Sequence, residues 1–318
     1  MTDWDGRPEA VITVGTFDGV HRGHADVLRE LDTRARARRL RSVLVTFAGH
    51  PAETLRPETA PPLLTPGVEK LEALASVEAP IDRVVTLPFT ASLAALPAER
   101  FVLDILRDRY GMRELLVGHD HGFGRGRGGD AGMLQALGAA HGFAVDVVPP
   151  VAGPDGTPIS STTVRDAIRR GDLRAVADQL GRPYSFRGTV VRGDQRGRLL
   201  GYPTLNIRLI DRRKLLPADG VYAVRACLPD GEFGGMLNLG GRPTFGDAAR
   251  SAEVHVFDAS GDWYDASVSV SLLSHLRDVR RFDGIDALVA QLDRDAQAAR
   301  TALAHAERGS VDPLAGYR

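Results

Sequence analysis

The spacing of apolar residues changes near the middle of the chain, and that change divides it. In the first half, short continuous apolar runs alternate with stretches of helical period. Residues 11–14 are apolar or β-branched without a break, as in a strand buried on both faces. Ala25, Val27, Leu28 and Leu31 then recur at helical spacing. Runs at 42–47, 81–87, 114–118 and 143–148 repeat the strand pattern, with helices expected at 67–76, 97–110 and 131–141. Within 97–110, Phe101, Val102, Ile105 and Leu106 form one core-facing stripe. Strands alternating with helices predict a doubly wound parallel sheet with right-handed crossovers. From Tyr184 the period falls to two. Short strands are expected at 184–191, 204–208, 221–227, 233–239, 252–257 and 266–273, with an amphipathic helix at 284–304. Six such strands suit a small antiparallel β-barrel with the helix packed across it. The expectation is therefore an α/β domain over residues 1–182 and a six-stranded antiparallel barrel domain with a C-terminal helix over 183–318.

A length of 318 residues fits two domains, and 43% hydrophobic content can fill two cores. The net charge of −1 gives no global field toward nucleic acid. The basic cluster Arg34, Arg36, Arg38 and Arg39 ends the first helix, where cations complement the dipole, and reads as a solvated face. A single cysteine, Cys227, excludes an internal disulfide and suits a reducing compartment. The first ten residues lack a basic-then-apolar signal, and no apolar run approaches ~18 residues. These features predict a cytoplasmic protein without membrane or nucleic-acid partners, monomeric or weakly self-associating. The abundance of alanine, arginine and glycine beside few lysines reads as genome composition and not as chemistry.

Candidate chemistry concentrates where strands end. Gly15, Thr16, Phe17, Asp18 and Gly19 form a turn-prone link between the first strand and its helix, followed by His21 and His24. A helix N-terminus offers unpaired N–H groups and the positive end of the dipole, so two imidazoles beside it suit a polyphosphate. The same pattern also serves as a surface helix cap, and zinc is disfavoured because no third ligand lies near. His50 ends the second strand. After the fourth strand, the glycine-rich loop 119–130 carries Arg125 and Arg127. Ser160, Ser161, Thr162 and Thr163 open another helix, with Thr163 and Asp166 spaced as a capping box and Arg165 able to clamp phosphate bidentately. Two helix N-termini gripping one triphosphate is the arrangement these segments imply. In the second half, Gly193, Gly197 and Gly201 with Arg198 precede Thr204 and Asn206, two residues apart on one strand face, where the asparagine presents a hard oxygen to Mg²⁺. Glu253 sits on a later strand.

These motifs carry a resemblance. Gly15 to His24 with Ile159, Ser160, Ser161, Thr162 and Arg165 resembles nucleotidyltransferases with HxGH and ISST motifs, and more narrowly the prokaryotic bifunctional riboflavin kinase/FAD synthetase family. Pro203, Thr204, Leu205 and Asn206 resemble that family's PTAN motif, with leucine replacing alanine. The resemblance implies phosphorylation of riboflavin to flavin mononucleotide (FMN) by ATP, then adenylylation of FMN to FAD with release of pyrophosphate. It implies ATP as co-substrate, Mg²⁺ as cofactor, His21 and His24 as adenylyl-transfer catalysts, and Glu253 as the kinase base. Phosphate contacts would come from residues 15–19, Ser160, Ser161, Thr162, Arg165, Gly193, Arg198 and Gly201, and metal contacts from Thr204 and Asn206. Flavin contacts would come from His50, Asp120, Arg242, Thr244, Arg277 and Phe282. The chain departs from the family pattern at Ala48 and Gly49, where an acidic residue and a proline are usual, at His121, where an aromatic is usual, and at Leu205. The departures at Ala48, Gly49 and His121 set one alternative, a kinase with a weakened or modified-flavin transferase; a second, of another class, is a non-catalytic flavin or nucleotide sensor.

Overall fold

A computed structural model of the chain describes residues 9–118, 129–193, 196–241 and 250–309. Contacts divide it into two compact units, Met1–Thr163 and Val164–Arg318.

The first unit contains β1 (Ala10–Val14), α1 (Arg22–Arg38), β2 (Arg41–Phe47), α2 (Pro51–Leu55), α3 (Val68–Ala75), β3 (Arg83–Leu87) and α4 (Ala91–Ala95). Next come α5 (Ala98–Arg100) with its wider continuation Phe101–Arg109, β4 (Met112–Gly118), α6 (Ala131–His141), β5 (Ala144–Val148) and the start of α7 (Ser161–Arg169). The strands form one sheet in the order β3-β2-β1-β4-β5, every pair parallel. Burial explains the unbroken apolar runs: every residue of β1 and β2 is buried. Ile12, Val14, Val43 and Val45 feed the core layer containing Phe101 and Leu106, while Val11 and Leu44 feed the opposite layer with Val27, Leu28 and Leu31 of α1.

The expected helix at 97–110 is π-helical over Phe101–Arg109, closed by an i→i+5 bond from the Tyr110 amide to the Ile105 carbonyl, 3.1 Å. Its wider turn buries Leu103 beside Phe101, Val102 and Leu106, and leaves Ile105 only partly buried. The short helices α2 and α4 fall in stretches with no helical period, and each is started by a side-chain cap, from His50 and Thr90.

In the second unit, α8 (Leu173–Leu180) precedes β6 (Tyr184–Val191), α9 (Arg196–Leu199), β7 (Leu205–Leu209), β8 (Gly220–Leu228), β9 (Gly231–Gly241), β10 (Arg250–Val256), β11 (Ser267–Arg277) and α10 (Ile285–Gly309). The six strands close into a barrel in the order β10-β7-β6-β11-β8-β9, all pairs antiparallel. Alternation along β6 turns Tyr184, Phe186, Gly188 and Val190 into the buried side. Val221, Ala223, Met236 and Phe257 form an apolar seat for Ala299 and Leu303 of α10. Helix α8 packs on β6 and β11, so the residues immediately before the barrel belong with it by contact.

Candidate active sites

The link between β1 and α1 is a tight, strained turn. Phe17 has φ 48°, Gly19 φ 87° and Val20 φ 41°. A β-branched residue at positive φ is a true outlier, and such strain persists only when the surroundings over-determine it. Asp18 supplies that restraint. It is 2% exposed, and its carboxylate accepts the Leu64 amide at 3.0 Å and the Thr65 amide at 2.9 Å. The Gly19 amide in turn donates to the Thr65 hydroxyl, 2.8 Å. Asp18 therefore shapes the turn from below.

The two histidines come together as the spacing requires. His21 is the N-cap of α1 and not its first helical residue; its Nδ1 accepts the His24 amide at 3.3 Å. An accepting Nδ1 puts the proton of the neutral ring on Nε2. The imidazoles stack with centroids 3.7 Å apart and an interplanar angle of 19°, and His24 lies 4.6 Å from the Phe17 ring.

The start of α7 meets this turn. The Ser161 hydroxyl donates to the Asp18 carbonyl at 2.8 Å, across 143 positions of sequence. A Cβ on Gly23 would sit 3.2 Å from the His21 ring and 3.7 Å from the Ile159 carbonyl, so the two helix N-termini are close neighbours. The cap falls one turn earlier than the sequence suggested. Ser160 and Thr163, not Thr163 and Asp166, form the reciprocal pair: the Ser160 amide donates to Thr163 Oγ1 at 3.0 Å and the Thr163 amide to Ser160 Oγ at 3.2 Å. Arg165, four residues after Ser161 and hence on its helix face, is buried at 6% exposure.

The carboxyl ends of β1 and β2 open into a shallow cleft lined by Thr16, Asp18, His50, Leu63, Thr65 and Lys70, with Ala48 and Gly49 also on its wall. His50 caps α2 by accepting the Ala52 amide at Nδ1, 3.1 Å. Sequence reasoning missed Lys70. Its Nζ donates to the Phe47 carbonyl at 2.9 Å, and burial lowers its pKa from the ordinary lysine value against the pull of Asp18 and Glu53.

The barrel gathers a second set. Asn206 on β7 stands directly opposite Glu253 on β10 and Val191 on β6. Opposed residues of an antiparallel pair put their side chains on one face, Cβ atoms about 5 Å apart. Gly193 abuts this pair: a Cβ there would fall 2.1 Å from Asn206 Nδ2. Thr204 lies one residue before β7 and not within it. That approach segment is pinned twice, by His255 Nδ1–H donating to the Pro203 carbonyl at 2.8 Å and by the Tyr202 hydroxyl bonded to Asp293 of α10. Burial, then Asp293, push the Tyr202 phenol up to about 12. Arg198 and Gly201 are exposed on the same approach.

An FAD synthetase family model matches residues 5–163, and a riboflavin kinase family model matches residues 180–303. The chain is 38% identical over 291 residues to the bifunctional riboflavin kinase/FMN adenylyltransferase of Escherichia coli, covering 91% of each chain. To the Pseudomonas fluorescens enzyme of the same name it is 40% identical over 298 residues, covering 92% of this chain and 94% of that one. The chain belongs to the bifunctional riboflavin kinase/FMN adenylyltransferase family. A crystal structure described as a macrolide-efflux protein from Streptococcus pneumoniae is also similar, with TM-score 0.82 and 33% identity over 93% of this chain and 95% of that one. Among the described residues, no helix is long and apolar enough to cross a membrane.

As a member of this flavin-cofactor enzyme family, the chain carries both enzymatic domains, and the family's substrates are riboflavin, FMN and ATP. Of its expected flavin contacts, His50 lines the cleft, while Asp120, Arg242 and Thr244 lie outside the described residues, as do Arg125, Arg127 and the departure at His121. Arg277 makes a forked ion pair with the buried Asp295, Nε–Oδ1 2.9 Å and Nη2–Oδ2 2.7 Å, which ties β11 to α10. Phe282 lies under two guanidinium groups, 5.7 Å from Arg277 and 4.9 Å from Arg280.

Proposed function

We propose that each activity is housed in its own half of the chain: adenylyl transfer to FMN at the turn 15–24 with the α7 start, within residues 1–182, and riboflavin phosphorylation beside Asn206 and Glu253, within 183–318. The observation that carries the first assignment is the 2.8 Å bond from Ser161 to the Asp18 carbonyl, which joins two helix N-termini at one strand end. There an FMN phosphate oxygen attacks the α-phosphorus of ATP, and the bond to pyrophosphate breaks. His21 Nε2–H and His24 donate to the oxygens on which charge develops. Gly15, Thr16 and Phe17, with Thr162 and Arg165, hold the leaving pyrophosphate, and Asp18, Gly19 and Ser160, engaged within the fold, set the shape of the turn and of the α7 start. Ser161, its hydroxyl proton given to Asp18, acts as an acceptor and a brace. Such catalysis is positioning and charge stabilisation.

In the barrel, Glu253 takes the proton of the riboflavin 5′-hydroxyl as that oxygen attacks the γ-phosphorus and ADP leaves. Among the described residues no cluster of three His, Cys, Asp or Glu side chains could hold a metal ion. The donor set fits Mg²⁺ in its other mode, in which one or two hard protein oxygens join substrate phosphates. The Asn206 amide, wedged against Gly193, and the Thr204 hydroxyl supply those oxygens. Bound there, Mg²⁺ would neutralise charge on the transferring phosphates. Gly193, Arg198 and Gly201 flank the nucleotide; His50, Asp120, Arg242, Thr244, Arg277 and Phe282 flank the flavins. The reading also includes a cytoplasmic location, supported by the lone cysteine, no nucleic-acid or membrane partner, and a monomer or weak homo-oligomer.

Incubation of the purified chain with riboflavin, ATP and Mg²⁺, followed by chromatography, tests the assignment. FMN and then FAD are expected; His21→Ala should halt the sequence at FMN, and accumulation of FAD by that variant at the wild-type rate would refute the site.

A further inference from the structure

Lysine is nearly absent from this protein. Of its 40 lysines and arginines, only Lys70 and Lys214 are lysine, and both are buried, at 8% and 6% exposure. In a chain that uses arginine for every surface cation, a buried lysine marks a position where a compact point charge serves and a planar fork does not. Lys214 is accounted for by packing, with its ammonium 4.1 Å from the centre of the Tyr184 ring. Lys70 has no such seat. Among the described residues its one hydrogen bond is to the Phe47 carbonyl, a neutral group at the carboxyl end of β2. An ammonium has three donors. Two carboxylates, Asp18 and Glu53, act on it through space, and Asp18 already accepts the amides of Leu64 and Thr65. Fixing α3 to β2 through one carbonyl requires a donor but no charge, and burying a charge for that purpose is costly. A cation held at a strand's carboxyl end, in a cleft shared with Thr16 and His50, is what an anionic ligand requires.

We propose that Lys70 is a phosphoryl-binding residue of the adenylyl-transfer site, its ammonium taking an oxygen of a phosphate or polyphosphate group bound in this cleft. The proposal rests on the assignment of residues 15–24 and 160–165 to that site. Two phosphate sources share the chemistry, FMN and the triphosphate of ATP, and the experiment separates them.

With two lysines in the chain, amine acylation can be followed site by site. The purified full chain is treated with limiting acetic anhydride, alone or with FMN, ATP, inorganic pyrophosphate or riboflavin, and the Lys70 peptide is quantified by mass spectrometry. A phosphate-bearing ligand should slow Lys70 acylation about fivefold or more while Lys214 is unaffected and riboflavin has no effect. Slowing by FMN alone assigns the flavin phosphate; slowing by ATP and pyrophosphate assigns the polyphosphate. No slowing by any phosphate compound, or equal slowing by riboflavin, overturns the proposal.

Kinetics give the second arm. Lys70→Gln should raise the KM of the protecting substrate in FAD synthesis about tenfold, with a smaller change in kcat, and Lys70→Arg should recover part of the loss. Riboflavin phosphorylation by the same variants reports on folding and should be unchanged. A Lys70→Gln chain with wild-type KM and kcat for FAD synthesis overturns the proposal. If His21→Ala also leaves FAD synthesis intact, the site assignment itself has failed; if His21→Ala stops it and Lys70→Gln does not, only the role of Lys70 has.

Discussion

The two halves of the chain build phosphate chemistry by opposite routes. In the first, the candidate site is assembled from distant segments: a turn after β1, the loop at 64–65, helix α3 and the start of α7 converge on the end of a parallel sheet. In the second, the paired residues are neighbours in a hydrogen-bond ladder, Asn206 facing Glu253 by strand register alone. A site held by turns and caps depends on individual side-chain bonds and on strained backbone. A site held by register depends on the ladder and on clear space above it. Damage to each should therefore look different.

The largest effects should separate the activities completely. His21→Ala is expected to lower FAD synthesis from supplied FMN about 10²–10³-fold with riboflavin phosphorylation unchanged, because one donor to developing charge is lost. Glu253→Gln should do the reverse, lowering phosphorylation about 10²–10⁴-fold as the base is removed. Both rates can be read in one chromatographic assay; loss of both activities in either variant would erase the division. Gly193→Ala comes next. Its Cβ would meet Asn206 Nδ2 at 2.1 Å, so phosphorylation should fall about tenfold or more with FAD synthesis from FMN retained. Unchanged phosphorylation would mean that the Asn206 side chain can yield without cost.

Smaller effects probe the braces. Asp18→Asn replaces the side chain that accepts two backbone amides with a weaker acceptor and should cost about 1.5–3 kcal/mol in urea unfolding of the first half. Ser161→Ala removes one neutral bond and should cost about 1 kcal/mol, with FAD synthesis reduced only a few-fold. The smallest effect is one of pH. Burial holds Lys70 below the ordinary lysine value of 10.5, so its neutral, reactive form should appear at lower pH than in an exposed lysine. The pH dependence of its acylation checks this, and a midpoint at or above 10.5 would contradict it.

Periodicity carried most of the fold, because strands buried on both faces and alternating barrel strands each leave a repeating trace. The β1–turn–α1 unit, the parallel sheet and six barrel strands were all legible in this way. The π-helical turn at 101–109 was not, since a one-residue widening leaves the apolar stripe nearly intact. The helix cap at Ser160 was misread by one turn because four adjacent hydroxyls offer several equivalent cap spacings. The histidine pair and Asn206 were visible as motifs, and Glu253 through the resemblance of its segment. The work of Asp18 was not, because its partners are backbone amides 46 and 47 residues away. Lys70 was hidden for a related reason: a lone lysine in an amphipathic helix has no pattern, and only the fold reveals that it points to the end of β2.

Barrel closure also sets an order of birth. Every strand of the parallel sheet has been made once residue 148 leaves the ribosome, and α7 adds its brace soon after. The barrel has no such early form. Its strand β6 pairs with β11, Ser267 against Thr189, so the ring cannot shut until the chain has been made through Arg277. Translation proceeds at about 5–20 residues per second and domains fold as units, so the transferase half has several seconds to mature before the kinase half can begin to close. Long-range closure is the slow part of such folds. A nascent chain arrested between the two would carry a finished adenylyl-transfer half tethered to unclosed strands, and those strands would be the ones in need of a chaperone.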